Sequence, residues 1–353
     1  MGKRLLQIDG SYGEGGGQVL RTALSLATIT GQPIRLFNIR TGRKKPGLAA
    51  QHLTAVRAAA SICGASVSGD VLGSVSVEFR PGSRVIPGAY SFDVGESRAG
   101  GSAGAVSLVL QTVLLPLAIA EGNSSVKIIG GTHVPFSPPV SYIEYVYIPA
   151  LRNMGVDVTL DLQAWGWNPK GGGVIEVQIS GNGNLRGQKL LQRGELEKIR
   201  VIAAASKLPN EIITGMSNAA SSLLSGYGFE KSLVDLKEIA CSSPASGRGM
   251  FIFAEYSHST AGFSSLAQGA KVAKEVCAEM MEFHNSGSPV DEHLGDQLLL
   301  PACLATEETE YIVSKITLHL MTNAWVVETF GLAKVTIDEA SKKVSIIPRG
   351  THS

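Results

Sequence analysis

The sequence has little cysteine and no long uninterrupted apolar run. The cysteines are far apart and form no CxxC pair, at Cys63, Cys241, Cys277 and Cys303. This spacing argues against a disulfide framework or a zinc site and favours a reducing compartment. The most apolar segment, residues 103–120, is interrupted by polar residues and a proline, so we expect a buried helix and no membrane span. The N-terminal apolar run is too short for a signal peptide, and we therefore predict a cytoplasmic protein.

Net charge is also nearly absent. Lys and Arg number 31 and Asp and Glu number 30, which gives a net charge of +1. This balance argues against long non-specific contacts along a nucleic-acid backbone and leaves room for a local basic patch that grips a few phosphates. Hydrophobic residues make up 44% of the 353 residues and charged residues 17%, which is enough to bury a sizeable core.

The same order of predicted strands and helices recurs along the sequence. The pattern β-α-β-α-β-β begins at residues 4–9, recurs from Tyr90 and can be followed a third time from about Pro289, where its first strand is not visible. We therefore predict an α/β fold of three β-α-β-α-β-β lobes around a shared centre. The lobes would form a catalytic domain from residues 1–183 and 289–353, with a smaller inserted α/β domain at 184–288. Parallel strands joined by helices bring their loops together at one end of a sheet.

A glycine-rich turn, GSYGEGGGQ at residues 10–18, precedes the first predicted helix. It lacks the Lys-Ser/Thr of a phosphate loop and contains an acid, Glu14. Backbone N–H groups at a helix N-terminus bind anions, and a carboxylate beside a polyphosphate requires a divalent cation between them. A plain turn in which Glu14 stabilises the helix dipole is the alternative interpretation.

Two further features point to phosphate chemistry. Arg40, Arg43, Lys44 and Lys45 lie within six residues, and arginine side chains match phosphate oxygens bidentately. His319 begins a predicted helix, where the dipole disfavours imidazolium and leaves a nucleophilic lone pair at neutral pH. A solvated basic loop and a satisfied core histidine remain the alternatives.

Six segments stand out in chain order and are found in every predicted repeat: residues 8–56 (IDGSYGEGGGQ to HLTAV), GSAGAVSLVLQTVLLP, GGTHVPFSPP, GWNPKGGGVIEV, HLGDQLLLP and HLMTN. These segments resemble, in the proper order, the motifs of RNA 3′-terminal phosphate cyclases. The resemblance covers essentially the whole chain and is weaker in the predicted insert. The family's fold, three β-α-β-α-β-β lobes with an inserted smaller domain, agrees with the repeats.

The resemblance implies an enzyme that uses ATP to convert an RNA 3′-phosphate into a 2′,3′-cyclic phosphate. His319 occupies the position of the family's nucleophile, which takes AMP from ATP and passes it to the RNA 3′-phosphate. The neighbouring 2′-OH then displaces AMP. Covalent catalysis of this kind divides one difficult condensation into easier displacements.

The resemblance also assigns roles to other residues. Glu14 matches a carboxylate that binds Mg²⁺ or Mn²⁺. Nucleotide contacts would come from Gln111, Pro135, His293, Leu294, Gly295, Asp296 and Gln297, and from Phe263 of the predicted insert. The phosphates and the RNA end would lie near Arg40, Arg43 and Gln51. His293 stands where the family often has a tyrosine stacked on adenine, and an imidazole can stack there with less area.

Two other functions compete with this one. Cyclase-like proteins that have lost catalysis and act as RNA-binding assembly factors lack the nucleophilic histidine, whereas His319 and Glu14 are present here. Enolpyruvyl transferases share the repeated architecture but need neither a histidine nucleophile nor an adenine site. The sequence does not fix the oligomeric state, and a homo-oligomer is left open.

Overall fold

The computed structural model describes residues 3–97, 101–266 and 271–350. These residues form a mixed α/β structure with four sheets of four strands each. The predicted α/β class is therefore confirmed. In the described part of the chain, no helix combines the length and the apolar character that a bilayer span requires.

The first unit comprises residues 6–80. Its elements are, in chain order, β1 Leu6–Asp9, α1 Gln18–Thr30, β2 Ile34–Phe37, α2 Ala50–Cys63, β3 Ser66–Ser68 and β4 Val77–Arg80. The sheet has the order β1-β2-β4-β3, with β1 and β2 parallel and the other pairs antiparallel.

The second unit comprises residues 89–181. Its elements are β5 Ala89–Asp93, α3 Val106–Ile119, β6 Gly122–Gly130, α4 Val140–Tyr142, a π-helical turn Ile143–Tyr147, α5 Ile148–Asn153, β7 Asp157–Ala164 and β8 Gly173–Gly181. The sheet order β5-β6-β8-β7 again has one parallel pair, β5 with β6, followed by two antiparallel pairs.

Residues 196–286 form a separate sheet with two helices. The elements are β10 Leu196–Ser206, α6 Asn210–Gly226, a 3₁₀ turn Lys231–Leu233, β11 Val234–Ala240, β12 Gly247–Tyr256, β13 Thr260–Ser265 and α7 Lys271–Ser286. The sheet order is β11-β10-β12-β13. Both helices pack on this sheet around a core of their own. We call this segment the insert.

The third unit combines residues on both sides of the insert. Its elements are β9 Lys189–Leu190, α8 Glu292–Cys303, β14 Thr309–Ile312, α9 Leu318–Thr329, β15 Ala333–Asp338 and β16 Lys343–Pro348. The order β9-β14-β16-β15, with β9 parallel to β14, repeats the pairing of the first two sheets. The two-residue β9 therefore belongs to this sheet, although it lies inside the predicted range 184–288. That range also includes residues 267–270, which are outside the described residues.

Helices from all three units pack together in one core. Helix α1 contacts α3 of the second unit and α9 of the third, and α8 contacts α9. Buried residues of the three units belong to a single hydrophobic cluster, which includes Leu20, Val109 and Leu320. This packing brings the N-terminal ends of helices from different units to one place.

Candidate active site

A cavity of about 620 Å³ lies where the helices of the three units meet. The first unit contributes Glu14, Arg40, Arg43 and Gln51 to its wall, and the second contributes Gln111. The third unit contributes His293, Asp296, Gln297 and His319. Nine of the predicted site residues therefore line one cavity, although they are spread along the sequence from Glu14 to His319. Its volume is within the usual range for a small-molecule site.

The glycine turn closes one end of this cavity against α9. Gly13 and Gly15 both have φ near +62°, a conformation that glycine adopts without strain. A Cβ on Gly13 would come within 2.2 Å of the Thr322 hydroxyl, so the turn also requires glycine for close approach. The backbone N–H of Glu14 donates to the same hydroxyl at 3.2 Å.

Glu14, Arg43 and His319 form the chemical centre of the cavity. The Arg43 guanidinium pairs with the Glu14 carboxylate. His319 Nδ1 lies 4.0 Å from Glu14 Oε2, so the two side chains face each other. Three separate segments of the sequence thus meet at the Glu14 carboxylate: the glycine turn, the basic loop and helix α9.

His319 is the second residue of α9, whose start is capped by Thr317 through a bond from the Leu320 N–H. Burial lowers the pKa of His319, and the charge of Arg21 lowers it further. The imidazole is therefore neutral at pH 7. Its Nδ1 is buried without a hydrogen-bond partner, while 44% of the side chain remains exposed.

Asn323, one helical turn after His319, fixes the first unit to the third. Its Oδ1 accepts from Thr22 Oγ1 at 2.7 Å and from Gln18 Nε2 at 3.0 Å, both in α1. Its Nδ2 donates to the Asp296 carbonyl in α8 at 2.9 Å. This buried amide therefore sets the position of α9 relative to the glycine turn.

The segment 293–297 is helical, because α8 begins at Glu292. Asp291 caps this helix by accepting from the N–H groups of His293 and Leu294, each at 2.9 Å. The spacing i, i+3, i+4 places His293, Asp296 and Gln297 on one helix face, toward the cavity. Leu294 and Gly295 lie on the other face and are buried in the core, outside the cavity lining.

Asp296 contributes little negative charge at neutral pH. Burial raises the pKa of its carboxyl to about 8, against the effect of a 2.5 Å hydrogen bond from Thr317 Oγ1. Arg40 and Arg43 place two guanidinium groups on the same wall. The cavity is therefore electropositive at pH 7, which suits a phosphorylated ligand.

Amide side chains order other parts of the wall. Gln111 Nε2 donates to Gln297 Oε1 at 2.9 Å and links α3 to α8. Gln51 Oε1 accepts from the Ala105 N–H at 2.9 Å, at the start of α3. Arg40 Nη1 donates to the Gly47 carbonyl at 2.6 Å, which holds the basic loop closed.

Some lining residues were not among those predicted. Arg21 lies one turn into α1, and burial lowers its pKa to about 10, so it keeps its charge at pH 7. Burial lowers the pKa of His52 to about 3, helped by Arg21 and Arg40, so His52 is neutral. Tyr142 and Pro138 also line the cavity. Glycine before a helix was a readable signal, whereas a single arginine inside an apolar helix gave none.

Two predicted nucleotide contacts lie elsewhere. Pro135 lines a neighbouring cavity of about 410 Å³, and Pro138 lies on the wall of the larger one. The difference arises within one loop, whose two sides face the two cavities. Phe263 packs in the insert core with its ring centroid 5.6 Å from that of Phe283.

The donor set for a metal ion is small. Among the described residues no group of three or more His, Cys, Asp or Glu is arranged to hold a metal. Glu14 is the one ionised carboxylate that lines the cavity in that part of the chain, since Asp296 is protonated. A hard divalent ion that takes most of its ligands from phosphates and water needs only one or two protein carboxylates, so Glu14 fits such an ion.

These features define an α/β protein with an electropositive cavity and a neutral, partly exposed histidine inside it. A model of the family described as RNA 3′-terminal phosphate cyclase matches residues 12–337. The chain is 55% identical to the RNA 3′-terminal phosphate cyclase of Nostoc punctiforme, over 97% of this chain and 99% of that protein. It is 49% identical to the protein of that name from Methylococcus capsulatus, over 94% and 93%.

The chain therefore belongs to the RNA 3′-terminal phosphate cyclase family, as the motifs predicted, and the predicted class of enzyme is confirmed. The solved structure of the enolpyruvyl transferase NikO from Streptomyces tendae also matches, over 98% of this chain and 82% of that one. Its TM-score of 0.21 at 11% identity carries no argument about fold or function.

Proposed function

We propose that this protein converts RNA 3′-terminal phosphates into 2′,3′-cyclic phosphates at the expense of ATP, with His319 as the nucleophile. The observation that carries the proposal is the state of His319 in the cavity. Its imidazole is neutral and partly exposed, and its buried Nδ1 has no hydrogen-bond partner, at a helix N-terminus among arginines. Relatives at 55% and 49% identity bear the name of this activity.

The cavity has the chemistry that ATP requires. Arg21, Arg40 and Arg43 offer charge for a triphosphate at the end where the glycine turn lies. Tyr142 and His293 also line the cavity, with ring centroids 6.1 Å apart in an edge-to-face arrangement. A flat purine fits against such rings, so we assign the adenosine moiety to this part of the wall.

Glu14 would hold a divalent ion against the phosphates, and Mg²⁺ or Mn²⁺ would there neutralise charge on the triphosphate. In the structure the Glu14 carboxylate is paired with Arg43. Binding of the nucleotide would redirect Arg43 to a phosphate oxygen and free the carboxylate for the ion.

The proposed reaction has three displacements. His319 Nε2 attacks the α-phosphorus of ATP, a P–N bond forms, the bond to the bridging oxygen breaks and pyrophosphate leaves. An oxygen of the RNA 3′-phosphate then attacks the same phosphorus and breaks the P–N bond, which leaves AMP on the RNA. Finally the 2′-oxygen attacks the RNA phosphorus, loses its proton and expels AMP, so the cyclic phosphate closes.

We also propose that the three units are copies of one β-α-β-α-β-β lobe, arranged so that each contributes a helix start to the cavity. The common strand order and pairing of the three sheets support this. The domain limits 1–183, 184–288 and 289–353 stay approximate, because β9 at Lys189–Leu190 pairs with β14 of the third unit.

The experiment is a cyclisation assay on one 3′-phosphorylated oligonucleotide, with and without ATP. The proposal predicts a 2′,3′-cyclic end only when ATP is present, and no reaction on the matched 3′-hydroxyl oligonucleotide. A non-catalytic RNA-binding protein would bind the RNA and leave its end unchanged. Either failure to cyclise or cyclisation without any nucleotide would overturn the proposed function.

A further inference from the structure

Phe136 is an unusual residue on the rim of the large cavity. Its side chain is 102% exposed, the highest value among the exposed large hydrophobic residues in the described chain. Its backbone has φ of +64°, in the left-handed region that a bulky residue adopts only under strain. Strained backbone of this kind clusters at ligand-binding sites. A fully exposed aromatic ring beside a cavity provides a face on which a flat ligand can stack.

The loop that carries Phe136 separates two cavities. Phe136 lines the large cavity, whereas Pro135, the residue before it, lines the neighbouring cavity of about 410 Å³. That second cavity lies between the second unit, which contributes Trp167, and the insert, which contributes Arg248. The Cα atoms of consecutive residues are about 3.8 Å apart, so the two cavities lie on either side of a thin wall. An extended ligand that leaves the large cavity across Phe136 therefore reaches the cavity of about 410 Å³.

The second cavity is positive. Arg248 lines it, and none of the described residues on its wall is a carboxylate. Lys170 is exposed two residues beyond the lining residue Asn168, and Lys207 is exposed next to the lining residue Leu208. Cations beside an aromatic platform are the pattern by which single-stranded nucleic acids are bound without sequence preference.

The geometry points to a path for single-stranded RNA across this loop. The base of the 3′-terminal nucleotide stacks on Phe136, and the preceding nucleotide enters the 410 Å³ cavity with its phosphate near Arg248. This inference rests on the proposed function, because it takes the 3′-phosphate to lie beside His319. The small overall charge agrees with a path of about two nucleotides, since a long electrostatic track would need a larger excess of basic residues.

The test uses the full chain and two measurements. Binding of a fluorescent 3′-phosphorylated oligonucleotide is followed by anisotropy without ATP, and covalent labelling by radioactive ATP is followed without RNA. Phe136→Ala should weaken RNA binding about tenfold or more, which is a typical effect of losing one stacked base. AMP labelling should stay close to that of the wild type, so that the loss of labelling is at least about tenfold smaller than the loss of RNA binding. Phe136→Trp should restore binding. Phe136→Gly, which also relieves the left-handed backbone, should behave as Phe136→Ala does.

Arg248→Ala tests the second half of the path. It should weaken binding of a 3′-phosphorylated dinucleotide and longer RNA several-fold, and leave binding of a nucleoside 3′-monophosphate as it is. Tyr227→Ala is the matched control, because Tyr227 is 39% exposed at the end of α6 and lines neither cavity. It should change neither measurement.

The outcomes separate this inference from the proposed function. Unchanged RNA binding in Phe136→Ala overturns the path, as does an equal loss of AMP labelling, which would assign the ring to the adenine of ATP. An Arg248→Ala effect that does not depend on RNA length overturns the second subsite. If the wild-type chain binds RNA through Phe136 but never acquires AMP, the path stands and the proposed function fails.

Discussion

Replacing Asn323 with alanine should weaken both the fold and the first chemical step. Asn323 makes three hydrogen bonds, with Gln18, Thr22 and the Asp296 carbonyl, and the last two are buried. Each hydrogen bond contributes about 1 kcal/mol net, so Asn323→Ala should lower the free energy of unfolding by about 3 kcal/mol. The loss is expected because the polar groups that bind Asn323 are left without a hydrogen-bond partner away from water. Urea denaturation measures this loss.

The same substitution should slow AMP labelling. His319 lies one turn before Asn323 on the same helix, so loosening α9 from α1 moves the imidazole relative to the glycine turn. Misplacement by about 1 Å can reduce a rate about 100-fold, and we expect a reduction of at least about tenfold. Met321→Ala is the control on the same helix, because Met321 is 43% exposed, and its stability should change by less than about 0.5 kcal/mol. If Asn323→Ala matched Met321→Ala in both measurements, the role of this amide would be refuted.

The other predictions concern the metal, the glycine turn and a buried histidine. Glu14→Ala should lower AMP labelling at every Mg²⁺ concentration while leaving the unfolding transition in place; normal labelling across the titration would refute the metal assignment. Gly13→Ala should destabilise the fold by about 1–3 kcal/mol in urea denaturation, because φ is +62° and the new Cβ would meet Thr322. The control is Gly215→Ala, at an open position inside helix α6, which should leave the stability equal or raise it. Burial lowers the pKa of His133 to about 3, so the unfolded chain binds a proton below about pH 6.5 that the folded chain does not. Stability should therefore fall with acidification, by up to about 1.4 kcal/mol per pH unit for this group. His133→Gln should remove that part of the slope in urea denaturation between pH 7 and pH 4, and an unchanged slope would contradict the assignment.

Features marked by glycine, charge or a helix start could be predicted from the sequence. The turn around Glu14 precedes α1, and His319 stands in the first turn of α9, as expected. Arg43 in the basic loop reaches Glu14 as well. These positions were readable because backbone chemistry at helix ends imposes its own residue pattern.

Other features needed the three-dimensional structure. The strand β9 has only two residues, too few for any alternation to show, and it pairs across the insert with β14. Arg21 lies in an otherwise apolar helix, where one charged residue gives no sign that it faces a cavity. In the segment 293–297, the position of each residue around the helix determines whether its side chain lines the cavity, since only one face of α8 reaches it. The neighbouring positions Pro135 and Phe136 face different cavities because their loop forms the wall between them.

Covalent labelling of His319 tests the central claim most directly. The full chain is incubated with ATP labelled in the α-phosphate, and the adduct is mapped by peptide mass spectrometry. The account predicts one AMP on His319 through an acid-labile P–N bond, and no adduct in His319→Ala that retains the wild-type unfolding transition. AMP retained by the alanine variant, or mapped to a lysine, would contradict it.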